Sequence, residues 1–154
     1  NQYNQFIRKY NYEVRELCDK SVIRDCIDFA QEWYDNREEK DEQLRFELES
    51  IRDILEYPEI LNIKGIAVYV DGHIAGFSIG EKANKKMAIV HIEKGNHEYS
   101  GIYSFLNKTL AEKYFKDVRF INRQEDLGIE GLRKSKMSYN PVRLEKKFIV
   151  DLSL

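Results

Sequence analysis

A mixed α/β domain built on an antiparallel meander is the fold class this sequence predicts. Three observations carry it. Apolar residues recur at helical spacing through 22–34 and again through 44–55. The period then drops to two between 66 and 94, with Asp71-Gly72 placed as a hairpin turn. A further helical stretch and a short apolar run follow, which makes one late β-α-β unit.

Taken in order, residues 1–10 read as the end of a helix or a linker. Residues 12–17 alternate and predict a short strand. Ser21 is a cap candidate for the first long helix, whose apolar positions are Val22, Ile23, Cys26, Ile27, Ala30, Trp33 and Tyr34. The next helix spans 41–55, with Leu44, Leu48, Ile51 and Leu55 on one stripe and Pro58 as its stop. Residues 66–70 and 73–80 form the hairpin, the latter with Ala75, Phe77 and Ile79 on one face. Gly76 and Gly80 mark a close approach or a bend. Residues 86–94 complete the meander. There Met87, Ile89, His91 and Glu93 share one face, and Ala88, Val90, Ile92 and Lys94 the other. Gly101 opens an amphipathic helix carrying Ile102, Phe105, Leu106, Thr109 and Leu110. Strand 118–121, helix 129–137 and a final strand over 143–152 end the chain. The order is β-α-α-β-β-β-α-β-α-β.

The 154 residues suffice for one domain with a core, and 42% hydrophobic against 34% charged residues excludes a disordered chain. A net charge of -2 gives no global argument for nucleic acid. Charge is uneven: 38–59 is acidic and 131–147 basic, which reads either as two solvated helix faces or as one basic surface. Two cysteines without a framework, Cys18 and Cys26, are expected as small apolar core residues in a reducing, cytoplasmic setting. No apolar run is long enough to span a membrane. The chain opens without Met inside a polar phrase, NQYNQFIRKY. Residues 1–10 are therefore expected as the end of a linker or helix from an upstream domain, and 11–154 as the domain proper.

The stretch densest in chemistry is 120–142. A short apolar run delivers Asn122, Arg123, Gln124, Glu125 and Asp126, then Gly128, a basic helix and Tyr139 ahead of Pro141. Arg123 suits bidentate recognition of a phosphate or carboxylate, or the centre of an ion network that fixes the turn. Lys134 reads as a substrate contact or as a solvated lysine. Earlier in the chain, His91-x-Glu93 with His97 has a metal-like spacing, but no H-E-x-x-H or Cys/His set accompanies it, so no metal is expected.

Three segments, GIAVYVDGHIAGFSIGE, HIEKGNHEYSGIYSFLN and FINRQEDLGIEGLRKSKMSYNPVRL, resemble the phosphatidylglycerol lysyltransferase C-terminal-like family. Its members are bacterial, carry two tandem GNAT-like (N-acyltransferase) halves and often lack a known function. This chain is similar to the second half. The resemblance implies a GNAT fold and an acyl or aminoacyl transfer architecture, with an upstream GNAT-like domain as partner. It places the donor where the strand at 86–94 and the strand at 118–121 splay apart. It implies Glu93 as the base, with His91 beside it, and Tyr139 as the proton donor to the leaving group. Asn122, Arg123, Glu125, Asp126 and Lys134 become substrate contacts. The loop with Gly95, Asn96 and Gly101 corresponds to the phosphate-binding loop of coenzyme A enzymes. Its double-glycine spacing is absent and Glu98 repels phosphate. That departure fits a donor other than acyl-coenzyme A, such as an aminoacyl-tRNA, or no donor at all. The alternative to a transferase is a non-catalytic structural or substrate-binding half. A tRNA contact through 133–147 is a further reading.

Overall fold

The computed structural model describes residues 1–150 apart from 39, 127, 147 and 149, and for Gln43 the backbone alone. The elements are α1 (Gln2–Lys9), β1 (Tyr12–Glu16), α2 (Lys20–Asp35), α3 (Glu42–Glu56), β2 (Lys64–Val70), β3 (His73–Asn84), β4 (Met87–Gly95), α4 (Ile102–Tyr114), β5 (Phe120–Asn122) and α5 (Glu130–Met137). Among the described residues the strands form one five-stranded sheet in sequence order. Strands β1 to β4 are antiparallel neighbours, and β5 joins β4 in parallel. This is the mixed α/β architecture that the sequence predicts. Two compact units divide it, Asn1–Asn122 and Arg123–Leu154.

Each face of the sheet in the first unit carries its own core. On one face α1 and α4 contribute Phe6, Ile102, Phe105, Leu106 and Leu110 against Ile66, Val68, Val70, Ala88 and Val90. On the other, α2 and α3 bring Val22, Cys26, Ala30, Leu48, Ile51 and Leu55 against Ala67, Tyr69, Phe77, Ile79 and Ile92. The hairpin at Asp71-Gly72 has positive φ at both residues (49° and 82°), as a type I′ turn requires. Gly76 and Gly80 permit close packing: a Cβ at Gly76 would lie 2.6 Å from the Lys94 carbonyl, and one at Gly80 2.6 Å from that of Ile89.

Two irregularities change the expected faces. The β2–β3 register shifts between Val68 and Tyr69, so Ala75 packs with the α4 face while Phe77 and Ile79 pack with α2 and α3. The β3–β4 register shifts between Ile79 and Gly80, because Gly80 opposes Val90 and Ile79 opposes Ile92. His91 is the extra residue of this bulge. A bulge resets the alternation, so Val90 and Ile92 enter different cores. His91 and Glu93 therefore do not share a face, contrary to strict alternation.

Smaller differences are local. Asp19, not Ser21, caps α2, its carboxylate accepting from the Ser21 N–H at 2.8 Å. Cys26 is buried, but Cys18 is exposed at the turn after β1 rather than in the core, and both thiols are free. Within residues 1–10, read as the end of a helix or a linker, Gln2–Lys9 form α1, and its Phe6 is fully buried. The final strand expected over 143–152 has no counterpart at the described residues 143–146, 148 and 150; the rest of it lies outside the described residues.

Candidate functional site

Parallel pairing of β4 with β5 stops early. It covers Met87 to Ile89 against Phe120 to Asn122, and among the described residues β4 then runs on to Gly95 paired with β3 alone. The free length of β4 carries the functional candidates of the first unit. Past the bulge, Ser78 and Glu93 are directly paired across β3 and β4, so their side chains lie on the same face. Ile66, also paired with Ser78, belongs to the α4 core, which identifies that face. The Ser78 hydroxyl is fully buried without a hydrogen-bond partner among the described residues. Tyr103, in the first turn of α4, donates to the Gly95 carbonyl at 3.0 Å. Burial pushes its phenol above the ordinary tyrosine range, and the negative charge of Glu93 adds to this.

The opposite face of the same strand end holds a second cluster, which the sequence reading missed. Lys94 is 7% exposed. Its ammonium lies 2.8 Å from a Glu47 carboxylate oxygen and 3.5 Å from the centre of the Trp33 ring. The Arg37 guanidinium also lies 4.0 Å from that ring centre. Desolvation pushes the lysine below its ordinary value, and Glu47 opposes the shift. A lysine in line with Ala88, Val90 and Ile92 was the sequence signal that could have exposed this cluster.

The His91 Nε2 lies 2.9 Å from a Glu81 carboxylate oxygen on β3. Among the described residues no three His, Cys, Asp or Glu side chains converge as metal ligands.

The loop holding Gly95, Asn96 and Gly101 is braced from within. The Asn96 N–H donates to the Ala75 carbonyl, that of Glu98 to the Asn96 side chain and that of Tyr99 to the Asn96 carbonyl. The Ser100 N–H donates to the Tyr10 hydroxyl at 3.0 Å, and the Ile102 N–H to the Tyr99 carbonyl. Gly101 has φ +88°, and a Cβ there would stand 2.4 Å from the Gln2 carbonyl oxygen. Helix α1 thus lies against the start of α4, where Ser104 also donates to the Gln2 side chain at 3.0 Å. Backbone donors that would cradle a pyrophosphate are largely engaged.

Asn122 is exposed at the end of β5. The remaining candidates belong to the second unit. The Asp126 carboxylate takes two hydrogen bonds from Arg133, at 2.6 and 3.2 Å, and one from the Gly128 N–H at 2.9 Å. Arg133, then the Gly128 N–H, hold its pKa down at about 2. The Lys136 ammonium donates to the carbonyls of Arg123 and Glu125 at 2.5 and 2.6 Å. Arg123 stacks on Tyr139, 4.5 Å from the ring centre. Lys134 is exposed on α5.

Comparison with known proteins agrees with this architecture. A conserved protein of unknown function from Bacteroides thetaiotaomicron superposes with a TM-score of 0.87 and 34% identity, over 94% of this chain and 49% of that one. An uncharacterized protein of Mycoplasmoides gallisepticum is 25% identical over 151 residues, 97% of this chain and 48% of its own length. The chain thus spans about half the length of these relatives. An aminoglycoside acetyltransferase from an uncultured soil metagenomic sample, solved with sisomicin, shares the fold at TM-score 0.65 and 14% identity, over 97% of this chain and 99% of that one. The fold is that of the GNAT acetyltransferases. The profile of the family described as "Phosphatidylglycerol lysyltransferase, C-terminal" matches residues 1–151, and the chain belongs to that family.

Proposed function

We propose that this domain serves acyl or aminoacyl transfer at the free end of β4. The observation that carries the reading is the run of β4 past its pairing with β5, where Glu93 is the cross-strand partner of Ser78, whose buried hydroxyl has no hydrogen-bond partner among the described residues. Transfer to an amine or hydroxyl needs a base for the nucleophile, a donor for the oxyanion and an acid for the leaving group. Glu93 is the base in this reading, and Ser78 a hydroxyl donor next to it. Tyr139, set under the Arg123 guanidinium, is the proton donor expected from sequence. His91, whose Nε2 lies 2.9 Å from Glu81, is the further catalytic candidate expected from sequence. Asn122, Arg123, Glu125, Asp126 and Lys134 are the proposed substrate contacts. Asp126 and Arg133 have a first duty to each other.

The donor in this reading is not gripped as coenzyme A. Braced N–H groups around Asn96 and the seating of α1 at Gly101 support an aminoacyl-tRNA or another donor without a pyrophosphate. The same observation favours a second reading, a non-catalytic half of a longer tandem protein. Isothermal titration with acyl-coenzyme A, free coenzyme A and aminoacyl-tRNA separates the readings. Heat with aminoacyl-tRNA but not with either coenzyme A form is expected, and Glu93→Gln should abolish turnover while sparing that heat. Silence with all three ligands and an intact fold would leave only the scaffold reading.

A further inference from the structure

Lys94, Glu47 and Trp33 form a contact that ordinary core packing does not require. The residue paired with Lys94 on β3 is Phe77, fully buried in the α2–α3 core. An apolar side chain at 94 would continue that core. Instead a charged amine is taken almost wholly out of water. Burying an ammonium is costly unless a partner compensates. Two partners do so here, a carboxylate at 2.8 Å and an indole face at 3.5 Å. That pair of groups is what recognises a desolvated ammonium. Glu47 remains 43% exposed, so the subsite opens to solvent on the α3 side.

We propose that Glu47 and Trp33 are a binding subsite for the primary ammonium of a small aliphatic amine, occupied here by the ammonium of Lys94 as a built-in competitor. Lys94 is tethered one residue before β4 ends at Gly95, on a flexible four-carbon stem. A ligand amine enters from the solvent side of Glu47, displaces the lysine and takes over both contacts. Arg37, over the same indole, is the other charged group bearing on the lysine and disfavours a second cation arriving alone. Displacement therefore exchanges one ammonium for another at the Glu47 carboxylate and the Trp33 ring. The proposal rests on the transfer reading only in placing an amine beside the free end of β4.

Trp33 is the single tryptophan, so its fluorescence reports on this subsite directly. The probe is 1,5-diaminopentane, with 1-pentanol as the uncharged control. Lys94→Ala should bind the diamine about tenfold more tightly than wild type, the size of one charge-assisted contact. Adding Glu47→Gln to Lys94→Ala should abolish the response. An equal response to pentanol, or no saturable change in Lys94→Ala, overturns the proposal. If Lys94→Ala does not fold, the indole N–H signal of wild-type Trp33 is followed by NMR. A saturable shift beyond that of sodium chloride at equal ionic strength supports displacement, and its absence refutes it. Neither measurement uses a donor or Glu93, so failure here leaves the donor titrations as an independent test of transfer.

Discussion

The two units of this chain are held together by different physics. Asn1–Asn122 has an apolar core on each face of its sheet, with Phe6, Ile66, Phe77, Ile79, Leu106 and Leu110 all fully buried. In the unit from Arg123 onward, α5 has no buried residue, and Ile129, Met137, Val142 and Leu144 are exposed. What organises that unit is polar: Arg133 on Asp126, Lys136 on two carbonyls, and Arg123 on Tyr139. The lesson concerns how a dense polar motif is read. Charged residues crowded into a short stretch suggest chemistry, yet several of these are engaged in closing their own turn. The most deeply buried charge among the described residues is Lys94, in a strand that looks unremarkable.

The largest predicted effect tests the apolar side of this contrast. Phe6 comes from the ten-residue opening that reads as the end of a helix or a linker, and it is fully buried with its ring 4.5 Å from that of Phe105. Phe6→Ala should cost about 3–5 kcal/mol, the usual range for an aromatic deleted from a core. Urea denaturation should show a lower midpoint at unchanged slope. A loss below about 1 kcal/mol would mean that α1 is not part of the cooperative unit.

A middle-sized effect separates two ways of disturbing Lys94. Glu47→Gln strands a buried ammonium and should destabilise by about 1–3 kcal/mol. Lys94→Met removes the charge with its partner still half exposed, and should fall within about 1 kcal/mol of wild type. Linkage gives the sign of the pH dependence. The folded lysine sits below its ordinary value, so between the two values the unfolded chain binds more protons. Wild-type stability should therefore rise with pH as the solution approaches the ordinary lysine range from below. Lys94→Met should lack that increment in matched chemical denaturation series. A wild-type curve that falls through this range would refute the assignment of burial as the dominant cause.

The fold was largely legible because its signals are local and periodic. Helical stripes, the Asp71-Gly72 turn and the amphipathic pattern after Gly101 each declare an element from adjacent residues. The faces of β3 and β4 were less legible. A bulge depends on how two strands meet, and nothing in 86–94 alone reveals that His91 is the extra residue. Strict alternation consequently joined His91 to Glu93 and put Lys94 among apolar neighbours without its partners. Glu47 and Trp33 are remote in sequence and come together only when α2 and α3 pack on the sheet. The role of α1 was hidden for the same reason, since Phe6 finds Phe105 and Gln2 finds Gly101 only in three dimensions. In the second unit the sequence allowed either a substrate contact or a turn-fixing network, and for Asp126 the geometry supplies the network.

The smallest predicted effect belongs to that network and stays local. Asp126 caps the turn ahead of α5: its side chain accepts from the Gly128 N–H, and its carbonyl from the Ile129 N–H at 2.9 Å. With the folded pKa depressed to about 2, the contribution of the carboxylate is present above the ordinary carboxylate range and is lost as pH falls toward that value. An NMR titration should place the Asp126 carboxyl near 2 in wild type and return it toward the ordinary value in Arg133→Ala. Asp126→Asn keeps an acceptor for Gly128 but discards the charge that holds Arg133. Amide exchange at Arg133 should therefore accelerate, while amides of β2 and β3 in the first unit keep their protection. If those sheet amides accelerate to the same degree, the polar turn is coupled to the apolar core, and the contrast between the two units dissolves.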